Sequence, residues 1–292
     1  MTTKRLIAIL CAFTILISLC NIGFADTITD FQPLMPKHGT NIRTIGRLTI
    51  DFSNYNEGYV MLKTEPTDKK MKIVVIHEDK DRIQYDLNNT GKFEVFPLQY
   101  GNGNYNFILY EHMYDTKYQR LESVTLKADM PDTNRCFLYP NQYINYDENT
   151  LAIIYARDLC AGITDPQEKV NTIFNAICWE DETHFTRQDD GTILAYKMPK
   201  NRYGTVSDDY IPAIDKTFKE NMGVCRDWAG LVTAMLRSVG VPTKFMVGTY
   251  IDEGHAWISV IINGQEHEMD PTYQLAEIPP EEKVNYHLER WY

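Results

Sequence analysis

Short stretches of alternating apolar and polar residues follow one another through the first half of the chain, as far as about residue 130. Clusters of glycine, proline, asparagine and aspartate, the residues that form turns, separate these stretches. Strand-length segments that are separated by turn residues and have no helical period favour a β-sandwich. We therefore predict strands at 59–62, 71–77, 92–96, 105–110 and 121–126.

The second half of the chain has a helical period instead. It follows a proline-containing stretch at 130–141, which we interpret as a linker. Residues 151–159 fit one helix, and Asp165 followed by Pro166 is typical of the start of another. The strongest period begins at Cys225 and places six apolar residues on one helix face: Trp228, Leu231, Val232, Met235, Leu236 and Val239.

The first residues are typical of an export signal. Lys4 and Arg5 precede an apolar run at 6–19, which is shorter than the roughly 20 residues that span a bilayer. Small residues up to Ala25 fit a cleavage site. We therefore predict a signal peptide at 1–25, a mature chain without a transmembrane span, and a secreted or extracytoplasmic protein.

Composition and charge exclude several classes of function. The formal net charge is -11, whereas a nucleic-acid-binding protein needs a basic face that replaces phosphate counterions. The sequence has neither the histidine and cysteine spacings of a metal site nor a glycine-rich phosphate loop. We therefore predict no nucleic-acid partner, no metal and no cofactor.

The cysteines of the mature chain are considered apart from those of the predicted leader. An exported chain with so few cysteines is not a disulfide scaffold. Cys136, Cys160 and Cys178 can form at most one disulfide among them, and we favour buried free thiols for all three. Within the predicted leader, Cys20 is a candidate for lipid modification, although the bulky Leu19 before it disfavours this.

Cys225 is different because the helical period places it at a helix N-terminus. Backbone N–H groups and the positive end of the helix dipole stabilise a thiolate there. The same N–H groups can hold a developing oxyanion. A cysteine at a helix start is by itself more often structural, so a nucleophile at this position requires a base nearby.

A predicted hairpin supplies that base. Asn263-Gly264 is a strong signal for a two-residue turn between antiparallel strands. Counting back from this turn places Trp257 opposite Asp270. His255 then shares a face with Asp270 as its diagonal neighbour, at about 7 Å. The register therefore predicts a His255–Asp270 pair.

Together, three residues provide the parts of a catalytic triad. Cys225 is the candidate nucleophile, His255 the base, and Asp270 the group that orients the imidazole and fixes its tautomer. We predict these three as the catalytic residues.

Four motifs in this region resemble the transglutaminase-like core, which is similar to papain-like cysteine enzymes. The motifs are GVCRD at 223–227, AMLRSVGVP at 234–242, GHAW at 254–257 and DPT at 270–272. The resemblance implies the same three roles for Cys225, His255 and Asp270, and it does not cover the β-rich first half. It leaves the side chain that completes the oxyanion hole open, with Trp179, Gln188 and Tyr196 as candidates.

Pattern and resemblance combine into one predicted architecture of the α+β class. A β-sandwich-like domain at 30–129 and the linker at 130–141 precede a catalytic domain at 142–292. In that domain, a papain-like, transglutaminase-like core packs a central cysteine-bearing helix on an antiparallel sheet.

The implied activity is acyl transfer on glutamine side chains or peptide bonds of a protein or peptide substrate, through a thioester. An amine acceptor makes the protein a transglutaminase, whereas water makes it a cysteine peptidase or amidase. Exported bacterial members of the family resemble proteins that process cell-wall peptides, so hydrolysis stays open. A third possibility is a catalytically silent binding or scaffold protein on the same fold.

Overall fold

The computed structural model describes residues 31–178, 206–207 and 209–292, so the predicted signal peptide at 1–25 lies outside the described residues. The first part of the described chain is built from strands. They are β1 Ile42–Ile45, β2 Leu48–Asp51, β3 Tyr59–Thr64, β4 Met71–His77, β5 Asp81–Asp86, β6 Glu94–Pro97, β7 Gly103–Tyr114 and β8 Lys117–Ala128.

These strands form two antiparallel sheets, ordered β1-β2-β3-β6 and β5-β4-β7-β8. Buried residues of both sheets, such as Ile50 and Val60 on one and Ile73 and Phe107 on the other, belong to one hydrophobic cluster. Each sheet thus buries one face in a shared core, as in a β-sandwich. The predicted β-rich first part is confirmed.

All five predicted strands are present, but β1, β2 and β5 were not predicted. Each of β1 and β2 has only four residues, and β1 is largely exposed, so the apolar alternation is too short to detect. Strand β5 begins and ends with aspartate, which is disfavoured in strands. It forms because pairing with β4 supplies its hydrogen bonds and because Ile83 and Tyr85 are buried.

The second part of the described chain combines helices with a third antiparallel sheet, ordered β11-β10-β9-β12. Its elements are α1 Leu151–Leu159, α2 Pro166–Cys178, α3 Ile214–Glu220, α4 Cys225–Ser238, β9 Thr243–Tyr250, β10 Glu253–Ile262, β11 Gln265–Met269, α5 Pro280–Lys283 and β12 Tyr286–Trp291. No helix in the described part of the chain has the length and apolar character needed to cross a membrane.

Helix α4 is the centre of this second part. It contacts α1, α2 and α3 as well as β9 and β10. The six residues of its predicted apolar stripe are all at most 2% exposed. A helix with contacts on both sides is buried around most of its circumference, which fixes the position of its first residue, Cys225. The α+β class and the packing of this helix on an antiparallel sheet are confirmed.

The stretch at 130–141 is packed rather than extended. It contains a short 3-10 helix, Arg135–Leu138, and buries Phe137. The guanidinium of the fully buried Arg237 donates to the backbone oxygens of Tyr139 at 2.9 Å and Tyr292 at 2.7 Å. This stretch is therefore tied to the second part of the chain, and the division into domains at 30–129 and 142–292 stays a prediction.

Candidate active site

Cys225 is the first residue of α4 and is half-buried. The carboxylate of Asp227, in the first turn, accepts a hydrogen bond from the backbone N–H of Val224 at 2.9 Å. An acidic side chain that caps a helix start in this way satisfies a backbone donor and favours the helix dipole. The nucleophile candidate therefore occupies a well-defined helix N-terminus, as predicted.

The residues that follow Cys225 also hold a neighbouring segment, which sequence reasoning missed. Tyr210 donates from its hydroxyl to Asp227 Oδ1 at 2.7 Å. Arg226 Nη1 donates to the backbone oxygen of Ser207 at 2.8 Å. The chain before α3 is thereby fixed to the start of α4. In the sequence, Asp227 stands three residues after the helix cap, which indicates a capping role. This spacing does not indicate that Tyr210 also binds the same carboxylate.

The hairpin predicted from Asn263-Gly264 is present. Both residues have positive φ values, 52° and 77°, as a type I′ turn requires. Strands β10 and β11 pair in the predicted register, from Ile262 with Gln265 to Ile258 with Met269. Asp270 lies one residue beyond this ladder, and its backbone pairs with Leu275 instead.

His255 and Asp270 are in direct contact. The imidazole Nε2 lies 2.7 Å from Asp270 Oδ2, in a site where Asp270 is fully buried. The other carboxylate oxygen, Oδ1, accepts the backbone N–H groups of Thr272 at 2.8 Å and Tyr273 at 3.2 Å. These hydrogen bonds offset the cost of burying the carboxylate away from water. The backbone of the tight turn after β11 therefore stabilises the carboxylate that faces His255.

Cys225 is the second polar neighbour that acts on His255. Since Nε2 is occupied by Asp270, Nδ1 is the ring nitrogen left for the thiol. Burial by itself lowers the pKa of His255. The hydrogen bonds to Asp270 and Cys225, with the charges of both groups, outweigh it and raise the pKa to about 9. The structure thus brings all three predicted residues together.

The raised pKa of His255 has a consequence for stability. The folded value, about 9, exceeds the ordinary value of 6.5, so the imidazolium stabilises the folded state. This contribution is fully present below about pH 6.5 and is lost as the pH rises through about 9. We expect the free energy of unfolding, measured by urea titration, to fall more steeply over this range in the wild type than in a His255→Gln variant. Equal slopes in the two proteins would contradict the assignment.

Aromatic rings surround the imidazole. Tyr273 stacks on it with ring centroids 5.1 Å apart, and its side chain is 49% exposed. Tyr250 and Tyr286 lie at 5.9 and 6.0 Å. Tyr273 therefore covers one face of His255 while remaining accessible, and the sequence showed it only as a tyrosine after the DPT motif.

The remaining cysteines of the described chain are free and buried, as predicted. Burial raises the pKa of Cys136 to about 12 and that of Cys160 to about 11. Burial, and then the charge of Asp270, raise the pKa of Cys178 well above its usual value. These thiols stay protonated at neutral pH, so Cys225 differs from them in both access and partners.

Trp179, Gln188 and Tyr196, proposed for the oxyanion hole, lie outside the described residues. Within the described ranges, no three side chains of His, Cys, Asp or Glu are grouped as metal ligands would be.

A known protein family matches the part of the chain that contains this site. The family profile described as the Transglutaminase-like superfamily matches residues 154–271. No curated protein matches the chain.

Similar solved structures include a candidate cysteine protease from Cytophaga hutchinsonii, 15% identical over 80% of this chain and 78% of that one, with a TM-score of 0.39. The periplasmic domain of TgpA from Pseudomonas aeruginosa is 15% identical over 81% of this chain and 73% of that one, with a TM-score of 0.34. Red sea bream transglutaminase is 11% identical over 89% of this chain and 52% of that one, with a TM-score of 0.30.

The profile match contains Cys225, His255 and Asp270 together with α2, α4 and strands β9 to β11. Residues 154–271 thus match the profile of the transglutaminase-like superfamily, in agreement with the resemblance of their motifs.

Proposed function

We propose that this protein is a cysteine acyl-transfer enzyme that acts on glutamine side chains or peptide bonds of a protein or peptide substrate. The observation that carries the proposal is the position of the imidazole: His255 Nε2 lies 2.7 Å from Asp270 Oδ2, and Cys225 is close enough to act on the same ring. A nucleophile, a base and an orienting carboxylate in this order define a triad by geometry.

In the first half-reaction, His255 takes the thiol proton of Cys225, and the thiolate sulfur attacks the carbonyl carbon of the substrate. The tetrahedral oxyanion that forms lies at the N-terminus of α4, where backbone N–H groups and the helix dipole favour negative charge. The imidazolium then donates its proton to the departing nitrogen. Ammonia leaves from glutamine, or an amine from a peptide bond, and an acyl thioester remains on Cys225.

In the second half-reaction, His255 removes a proton from the acceptor, which attacks the thioester carbonyl and releases the Cys225 thiolate; the proton on His255 then returns to the sulfur. A primary amine as acceptor gives transglutamination, and water gives hydrolysis. Asp270 does not exchange protons in either half. Its charge holds the imidazolium, and its hydrogen bond keeps Nδ1 directed at the sulfur.

With the predicted signal peptide at 1–25, the proposal is an exported enzyme whose substrates include cell-envelope peptides. Hydrolysis of such peptides is the second candidate function. The exposure of the site favours hydrolysis, because water can reach the catalytic residues. Tyr273, which stacks on His255, is half exposed, and Cys225 is only half-buried. Water can therefore compete with an amine for the thioester unless the acyl donor itself closes this approach.

A glutamine peptide offered together with a labelled primary amine tests the proposal. We expect ammonia release, with either incorporation of the amine or formation of glutamate. We also expect an acyl adduct on the Cys225 peptide after acid quenching, detected by mass spectrometry. A panel of unmodified peptides serves as the parallel arm for peptide-bond cleavage. If no adduct forms with any donor while peptides still bind, the silent binding protein is the correct alternative.

A further inference from the structure

One oxygen of Asp270 is shared between two donors. His255 Nε2 lies 2.7 Å from Oδ2, and the hydroxyl of Tyr286 donates to the same oxygen at 2.8 Å. Tyr286 belongs to β12 and is neither in the four motifs nor within residues 154–271. The phenol therefore reaches the centre of the proposed triad from a strand outside the matched region.

Tyr286 is held firmly in this position. Strand β12 pairs with β9 so that Tyr286 lies opposite Tyr250. Its ring, 9% exposed, contacts Trp257 edge-on with centroids 5.2 Å apart, and it packs in a small cluster with Met246 and Ile278. A ring enclosed on several sides has one rotamer available, so its hydroxyl has a fixed direction.

The phenol remains a donor at every pH at which the site works. Burial, and after it the charge of Asp270 and the hydrogen bond to it, raise the pKa of Tyr286 far above its usual value. Tyr286 therefore keeps its proton and cannot compete with His255 as a base. Its contribution to the site is a constant hydrogen bond.

The four hydrogen bonds to Asp270 use the bonding capacity of both oxygens. Thr272 and Tyr273 donate to Oδ1, whereas His255 and Tyr286 donate to Oδ2. Without the phenol, one lone pair of a fully buried carboxylate loses its partner. The carboxylate can then rotate or shift toward the imidazole, and more of its charge acts on His255 alone.

We propose that Tyr286 is a positioning residue of the acyl-transfer reaction, which fixes Asp270 and thereby the direction of the His255 ring toward Cys225. The inference rests on the proposed function. The hydroxyl of Tyr286 donates to Asp270, so it acts on the imidazole through that carboxylate. The titratable groups that face His255 and Asp270 come from five segments: Cys178 from α2, Cys225 from α4, Tyr250 from β9, Tyr273 from the turn after β11, and Tyr286 from β12.

A Tyr286→Phe variant removes the hydroxyl and keeps the ring. We expect kcat for acyl transfer to fall by about tenfold, the effect of losing one hydrogen bond to a charged group, while KM changes little. Tyr250→Phe is the matched control. Its ring packs beside Tyr286 at 4.7 Å, but its hydroxyl donates to Glu282 at 3.2 Å rather than to Asp270. We expect this control to retain the kcat of the wild type.

A second measurement does not depend on turnover. The titration of the His255 ring is followed by NMR in a Cys225→Ala background, with and without the additional substitution Tyr286→Phe. Because the phenol no longer shares the charge on Oδ2, we expect the pKa of His255 to be higher in the protein that carries Tyr286→Phe. An unchanged titration overturns the inference, even if kcat falls, since a fall alone is what lost packing would produce.

The two proposals fail in distinguishable ways. If the wild type forms no acyl adduct and no product with any donor, the proposed function is wrong, and the NMR titration still decides whether Tyr286 acts on His255 through Asp270. If the wild type turns over and Tyr286→Phe matches it in both kcat and titration, only the role of Tyr286 is wrong.

Discussion

Replacing Cys225 by alanine is expected to lower acyl transfer by on the order of 10⁴-fold or more. Without the nucleophile, only substrate binding and oxyanion stabilisation remain. The measurement is the initial rate of ammonia release and amine incorporation, with thermal unfolding recorded in parallel. Because the Cys225 side chain is only half-buried, we expect the melting temperature to change little. Cys225→Ser should be similarly inactive, since a hydroxyl is a far weaker nucleophile than a thiolate.

Cys160→Ala is the control for this variant. Cys160 is buried, 5% exposed, and caps the C-terminus of α1, away from the contacts of His255. It should retain the turnover of the wild type. In the wild type, iodoacetamide should alkylate Cys225 before Cys136, Cys160 or Cys178, because burial raises the pKa values of those three thiols. Turnover that survives Cys225→Ala, or equal alkylation of a buried thiol, would remove Cys225 from the role of nucleophile.

Replacing Asp270 by asparagine is expected to lower kcat by about 10³- to 10⁴-fold. The amide oxygen can still accept the N–H groups of Thr272 and Tyr273, so the turn after β11 should persist. The amide NH₂ group then faces His255 Nε2, where the carboxylate accepted a hydrogen bond. Nε2 must now be the acceptor, and the ring proton moves to Nδ1. With its proton on the nitrogen that faces Cys225, the neutral imidazole cannot act as the base.

The matched control for this prediction is Glu268→Gln, an acid-to-amide change two residues earlier on β11. The amide keeps an oxygen for the indole N–H of Trp257, which Glu268 now accepts at 2.9 Å. We expect its kcat to stay within about twofold of the wild type, as for most surface changes away from a reacting group. An Asp270→Asn variant with the activity and pH profile of the control would show that His255 needs no carboxylate.

Local sequence features accounted for the parts of the site that depend on neighbouring residues. The apolar stripe of α4 is a pattern within fourteen residues, and it fixed both the helix and the place of Cys225 at its start. The turn at Asn263-Gly264 set the register of β10 with β11, because its type determines how two strands pair. These features predicted which face His255 and Asp270 share without knowledge of anything distant in the chain.

Contacts between segments that only folding brings together have no such local signal. Tyr286 lies sixteen residues beyond Asp270, and its hydroxyl reaches the carboxylate because β12 pairs with β9 at the far side of the sheet from β11. Tyr210 reaches Asp227 from a segment before α3. Neither tyrosine has a local pattern that distinguishes it from the many other tyrosines of this chain. The stretch at 130–141 likewise has the composition of a linker, and its burial depends on the partner surface that includes Arg237.

The sequence by itself therefore determined the identity of the three proposed catalytic residues and the local geometry of two of them, since periodicity and turn chemistry act over short distances. Tertiary structure decided how Cys225 meets His255, because that contact depends on the packing of α4 against β10. It also decided which side chains hold Asp270, because a buried carboxylate takes its donors from whatever the fold places around it.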